Sequence, residues 1–185
     1  MKKSVIVFSG LGADERVFCN IHLTGFDVTF VQWERPLKQE GIEHYASRLL
    51  DQIKTAKPTL IGLSFGGIIA LEVAKLIEVE NIVLISSLQS PSELPVLYRW
   101  SGYLKLHKIL PSWVLKRANF ISYWFFGAHT KQDKQLLKSI LNDTDSYFLK
   151  WAIEKVLIWK SEFSFSNTYR IHGSNDRILP LQNRE

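Results

Sequence analysis

Short apolar runs alternate with amphipathic stretches through the first half of the chain. Ser4–Phe8 is a largely apolar run that ends in a glycine-rich segment, Ser9-Gly10-Leu11-Gly12-Ala13-Asp14. Asp27–Gln32 alternates apolar and polar positions and is closed by Trp33-Glu34-Arg35-Pro36. Ile42–Lys54 carries Ile42, Tyr45, Ala46, Leu49, Leu50 and Ile53 at the spacing of one helix face. Thr59-Leu60-Ile61 is a further buried run, followed across a glycine-rich turn by a helical pattern over Ile68–Leu76 and then by the run Asn81–Ile85. Apolar strands separated by helices predict an α/β fold, a mostly parallel sheet with helices on both faces.

The pattern changes after Gln89. Up to about Phe165 no segment reads as a strand, and four helical stretches appear instead: Glu93–Lys108, Trp113–Phe126, Gln132–Leu141 and Asp145–Trp159. Leu136, Leu137, Ile140 and Leu141 mark one amphipathic face; Phe148, Leu149, Ala152, Ile153, Val156 and Leu157 mark another. Strand character returns at Thr168–His172, ahead of Gly173-Ser174-Asn175-Asp176. The single domain therefore divides into a first core part, 1–88, a helical insertion, 89–166, and a returning strand and loop, 167–185. An insertion placed there is expected to cap the C-terminal ends of the strands, where ligands bind in such sheets.

Composition narrows the class without naming a function. The chain has 185 residues, 46% hydrophobic and 22% charged, and a net charge of +5, ordinary values for one globular domain. Its basic residues look scattered: Lys131, Lys134 and Lys138 fall among acidic and apolar neighbours, and no Lys/Arg block reads as a nucleic-acid patch. The single cysteine, Cys19, excludes an internal disulfide and suits a reducing compartment, so a cytoplasmic location is expected. Met1-Lys2-Lys3 before Val5–Phe8 imitates a signal peptide, but the run breaks at Ser9-Gly10 and charges follow. No apolar run approaches the roughly 18 residues that a membrane span needs.

Gly62-Leu63-Ser64-Phe65-Gly66-Gly67 is a G-x-S-x-G pattern lying between a predicted strand and a predicted helix, the context that gives this nucleophile elbow its meaning. A turn that sharp strains its middle residue, and a Cβ on either flanking glycine would strike the adjoining strand or helix. The serine hydroxyl is thereby held clear of the sheet at a helix N-terminus, whose free N–H groups favour developing negative charge. Two further segments stand in register with it. One is Phe8-Ser9-Gly10-Leu11-Gly12; the other is Ile171-His172-Gly173-Ser174-Asn175-Asp176-Arg177-Ile178-Leu179-Pro180.

Taken in order, the three segments resemble the α/β-hydrolase superfamily, in particular its small single-domain members with a short helical cap. The resemblance covers the whole chain, loosely across the cap. It implies a serine hydrolase that cleaves a small ester, thioester or related carbonyl substrate through an acyl-enzyme, with no cofactor and no metal. Ser64 is implied as nucleophile and Asp176 as the acid that orients a histidine base. The backbone amides of Leu11 and Phe65 are implied as the oxyanion hole, with Gly10, Gly12, Gly62 and Gly66 as supporting loop positions. Asp176 is expected on the strand beside that of Ser64, or one strand removed, with room for an imidazole between the two.

The chain departs from the family in two places. Ser9 stands where the oxyanion loop usually carries histidine. The catalytic histidine should follow the acid, yet His22, His44, His107, His129 and His172 all precede Asp176. The simplest expectation is a C-terminally truncated chain lacking a last strand, the histidine loop and a terminal helix, with Leu181–Glu185 as the start of that helix and little activity of its own. A lyase or acyltransferase, or a non-catalytic binding module on the same scaffold, remains open at this stage. So does the role of the cap aromatics Tyr98, Trp100, Tyr103, Trp113, Phe120, Tyr123, Trp124, Phe125 and Phe126. They could roof Ser64, or more simply pack the cap's own core; docking of Tyr98–Phe126 on a membrane surface is the weaker reading, because the sequence does not fix which face is exposed.

Overall fold

The computed structural model describes residues 2–103, 116, 118–161 and 163–180. Five strands, β1 (Ser4–Phe8), β2 (Asp27–Phe30), β3 (Thr59–Leu63), β4 (Asn81–Ile85) and β5 (Thr168–Ile171), form one sheet in the order β2-β1-β3-β4-β5. Every pair is parallel, with Phe8 opposite Gly62, Leu63 opposite Ile85, and Ile85 opposite Ile171. The chain leaves β1 toward β2, then crosses back over β1 to β3 and continues in that direction. Right-handed crossovers put the first connection on one face and the later ones on the other. Accordingly a 3₁₀ turn, Glu15–Phe18, packs Phe18 against Val5 and Val7. On the opposite face α1 (Ile42–Leu49), α2 (Phe65–Ala74) and α6 (Ser146–Ile158) cover Ile6, Phe8, Leu60, Ile82 and Leu84.

α2 is the centre of that layer. All ten of its residues are buried, as expected of a helix that is apolar on every side. Its one carboxylate, Glu72, is held at 2.6 Å by Lys75 and receives the Trp159 indole N–H at 2.7 Å, the pairing that a buried charge requires.

The second half follows the sequence reading with shifted boundaries. α5 (Lys131–Asp143) begins at a reciprocal Thr130–Asp133 capping box, and Asp145 caps α6 through the Phe148 amide at 2.7 Å. α6 does more than cap the sheet, because its Phe148, Trp151 and Ala152 belong to the main core. α3 (Val96–Tyr103) starts later than the predicted Glu93. Pro91–Glu93 forms a separate 3₁₀ turn, and Leu94, ahead of Pro95, is held extended at φ −65° and ψ 126°. α4 (Phe120–Phe125) starts at an Asn119–Ser122 capping box rather than at Trp113, which lies outside the described residues with His107 and Leu181–Glu185. α1 stops at Leu49, where the chain tightens into the 3₁₀ turn Leu50–Gln52.

Among the described residues the cap aromatics do not form a buried cluster of their own. Trp100, Tyr103, Phe120, Trp124, Phe125 and Phe126 are exposed, while Tyr98 alone turns toward the main core. Sequence patterning cannot distinguish an apolar stripe facing inward from one facing out.

Candidate active site

Ser64 joins β3 to α2 with φ 52° and ψ −120°, a region that costs a non-glycine residue about 1–3 kcal/mol. Neighbouring groups hold it there. Its N–H donates to Ile85 O at 2.9 Å, and its carbonyl accepts from the Gly67 N–H at 2.9 Å and from the Ser87 hydroxyl at 2.6 Å. Glycine is needed on both sides of it. A Cβ on Gly62 would lie 2.6 Å from Gly66 O, and one on Gly66 would lie 2.7 Å from the Phe8 carbonyl carbon, closer still to the Phe8 and Ser9 oxygens. The α2 N-terminus therefore abuts the end of β1 directly. The Ser64 side chain is half-buried and makes no hydrogen bond among the described residues.

The segment after β1 folds as a compact turn. Ala13 N–H donates to Gly10 O at 2.9 Å, and the buried Ser9 hydroxyl donates to Ala13 O at 2.6 Å. Ser9 thus closes the loop from within, where the related fold usually has histidine. Trp33 Nε1 steadies the same loop by donating to Gly10 O at 3.2 Å. Gly12 has φ +69° and lies against Thr144, whose hydroxyl donates to Gly12 O at 2.9 Å. Gly10 has ordinary clearance, 3.8 Å to Leu63 from an added Cβ, so only Gly12 is demanded by packing in this loop. Among the described residues neither the Leu11 nor the Phe65 amide donates a hydrogen bond.

Beyond Gly12, Arg16 bridges Asp14 at 2.7 Å and Asp143 at 2.8 Å, joining this loop to the end of α5. The Arg16 guanidinium holds the Asp14 carboxyl below the usual carboxylate range. A groove of about 400 Å³ opens alongside, lined by Gly12, Ala13, Trp33, Thr144 and Phe148 among others; Ser64 does not line it.

Asp176 follows β5, with β4 between it and the strand of Ser64. One carboxylate oxygen, Oδ1, accepts the Ile178 and Leu179 amides, each at 2.9 Å. The other, Oδ2, lies 3.4 Å from His172 Nε2. That nitrogen is only 2.6 Å from Leu179 O, so His172 serves as a clasp on the turn. Tyr98 of α3 approaches from the insertion: burial pushes its hydroxyl up, and the Asp176 charge adds to the effect. Arg177 donates to Trp124 O at 2.6 Å and stacks 4.4 Å from the Trp124 ring centre. No direct hydrogen bond links Asp176 with Ser64.

The other described histidines sit elsewhere. His44 lies on α1, 2.6 Å from Glu40, while His22 and His129 are exposed. Ser87, Thr144 and Trp33 are the residues that sequence reasoning missed. Each acts through a contact between distant segments, and only the Ser86-Ser87 pair at the end of a strand offered any signal.

The direction in which strands are added to the sheet reverses between β1 and β3, and ligands in open parallel sheets bind at such a switch point, beyond the strand C-termini. The Gly10–Gly12 loop and Ser64 occupy that point. No protein-family model and no curated protein matches the sequence. Solved structures do match. A hydrolase from Pseudomonas aeruginosa PA01 has a TM-score of 0.64 at 16% identity, over 86% of this chain and 65% of its own. An α/β hydrolase from a Medee basin deep-sea metagenome gives 0.61 at 13%, over 97% and 74%. A thioesterase of the prodiginine biosynthetic pathway in Streptomyces coelicolor gives 0.60 at 17%, over 88% and 65%. The fold is that of the α/β-hydrolases. The chain spans 65% of the length of the Pseudomonas hydrolase and of the thioesterase.

Proposed function

We propose that this α/β-hydrolase-fold chain carries the nucleophile, the oxyanion hole and the acid of a serine hydrolase acting on a small ester, thioester or related carbonyl. The observation that carries the reading is Ser64 itself: a strained serine, φ 52°, at the tip of a strand–helix turn, with its hydroxyl unengaged. Strain of this kind is retained where it serves a site. Ser64 Oγ would attack the carbonyl carbon as its proton passes to an imidazole. Two unengaged amides, Leu11 and Phe65, would receive the oxyanion at the positive end of α2. Asp176, its Oδ1 fixed by two amides, would present Oδ2 to that imidazole and stabilise its charged form. Among the described residues no histidine hydrogen-bonds to the Ser64 hydroxyl. In this reading the imidazole that Asp176 Oδ2 faces is the base that takes the Ser64 proton.

Labelling of the protein with a fluorophosphonate probe tests the proposal. Ser64→Ala should abolish labelling while leaving thermal unfolding unchanged. Equal labelling of the Ser64→Ala protein would overturn it.

A further inference from the structure

The positive charge of this chain is not spread evenly once position is considered. Residues 94–132 contain six cations, Arg99, Lys105, Lys108, Lys116, Arg117 and Lys131, and no carboxylate. The other 146 residues carry 17 cations and 18 carboxylates, so the whole surplus lies in the first part of the helical insertion.

The same segment turns its apolar side outward. On α3, Leu97, Trp100 and Tyr103 are 76%, 60% and 82% exposed, and Val96 extends the stripe by one helical turn. On α4, Phe120 is 81% exposed, with Ile121, Trp124 and Phe126 beside it. The aromatic rings alone present on the order of 600 Å² to solvent, given about 150–250 Å² for each. Exposed patches of this size mark interaction sites. Both helices flank one feature, the turn after β5: Tyr98 of α3 lies near Asp176, and Trp124 of α4 carries Arg177. Their exposed rings therefore belong to one end of the molecule, the end where the strands finish.

We propose that this end docks on the surface of an anionic lipid bilayer. Exposed Trp, Tyr, Phe and Leu, on a stretch of sequence with Lys and Arg and without carboxylates, match what an interface of apolar acyl chains and negative headgroups selects. A second copy of this chain fits less well, because it would bring together two segments whose sequence charge has the same sign. Docking here is peripheral: among the described residues no helix is long and apolar enough to cross a membrane. It requires neither Ser64 nor catalysis, so it stands or falls apart from the hydrolase reading.

Co-sedimentation with vesicles tests it, comparing phosphatidylcholine alone with phosphatidylcholine mixed with phosphatidylglycerol. Partitioning should be at least about tenfold stronger on the anionic vesicles and should fall as salt is raised. The triple variant Leu97→Ser/Trp100→Ser/Phe120→Ser should lose about tenfold or more, with thermal unfolding unchanged because the three side chains are exposed. Arg99→Glu should lose about fivefold or more on anionic vesicles only. No binding to either vesicle, equal binding to both, or full binding by the triple variant would each overturn the proposal. So would a concentration-dependent dimer that disappears in the triple variant while neither vesicle is bound; the patch would then be a contact between copies.

Discussion

A methyl group at residue 66 tests how the loop after β1 is joined to the α2 N-terminus. In Gly66→Ala the new Cβ would lie 2.7 Å from the Phe8 carbonyl carbon and closer to two backbone oxygens. Carbon atoms in contact sit about 3.5–4.0 Å apart, so α2 or the end of β1 must retreat by roughly 1 Å. Neither can do so easily, because the obstructing atoms are backbone and every residue of α2 is buried. Overpacking of this kind costs about 1–3 kcal/mol or more, and a backbone clash belongs at the upper end. Alanine's better helix propensity returns about 1 kcal/mol, leaving a net loss of about 2 kcal/mol. For a domain of this size each kcal/mol lowers the Tm by about 2–4 °C; a fall of about 4–8 °C is expected in calorimetry, with a matching shift in urea unfolding. Fluorophosphonate labelling should slow as well, since the Phe65 amide moves with the helix. Gly10→Ala is the control: its Cβ meets nothing nearer than 3.8 Å, and its stability should stay within about 0.5 kcal/mol of the parent. A Gly66→Ala protein as stable as the parent, or a Gly10→Ala protein equally damaged, would refute the account of the junction.

Glu40 provides a test in pH. Burial pushes its carboxyl up, but the Leu37 amide, His44 and Arg48 outweigh burial and hold it below its ordinary value of 4.5. Its contribution to stability is therefore present above that value and lost as pH falls through the lowered one. Glu40→Gln should cost about 1–3 kcal/mol at pH 7, and the gap from the parent in urea unfolding should close in acid. Thr144→Val removes the hydroxyl held by Gly12 O and Ile140 O; a loss of about 1 kcal/mol and slower labelling of Ser64 are expected, with Thr144→Ser restoring both. Asp176→Asn keeps the oxygen that receives the Ile178 and Leu179 amides, so unfolding should change little. On the proposed mechanism, turnover should meanwhile fall on the order of 10⁴-fold, through loss of the correct histidine tautomer.

What the sequence determined by itself was local. The three inner strands β1, β3 and β4 are runs rich in Val, Ile and Leu, as strands covered on both faces require, whereas β2 and β5 at the ends of the strand order are more polar and more exposed. The elbow was legible because its chemistry lies within six consecutive residues, 62–67, where glycine spacing and backbone strain are set by covalent geometry. Asp176 was legible as a turn residue for the same reason. Tertiary structure decided everything that depends on the meeting of distant segments. Ser9 closes its own loop; Ser87 braces Ser64 from 23 residues away and Thr144 braces Gly12 from 132. Helix direction was also decided there. The stripes on α5 and α6 are as apolar as those on α3 and α4, yet the first pair contributes buried residues and the second faces solvent. Amphipathic spacing specifies that a helix has an apolar side, whereas the partner that covers that side is supplied only by the folded arrangement of the other elements.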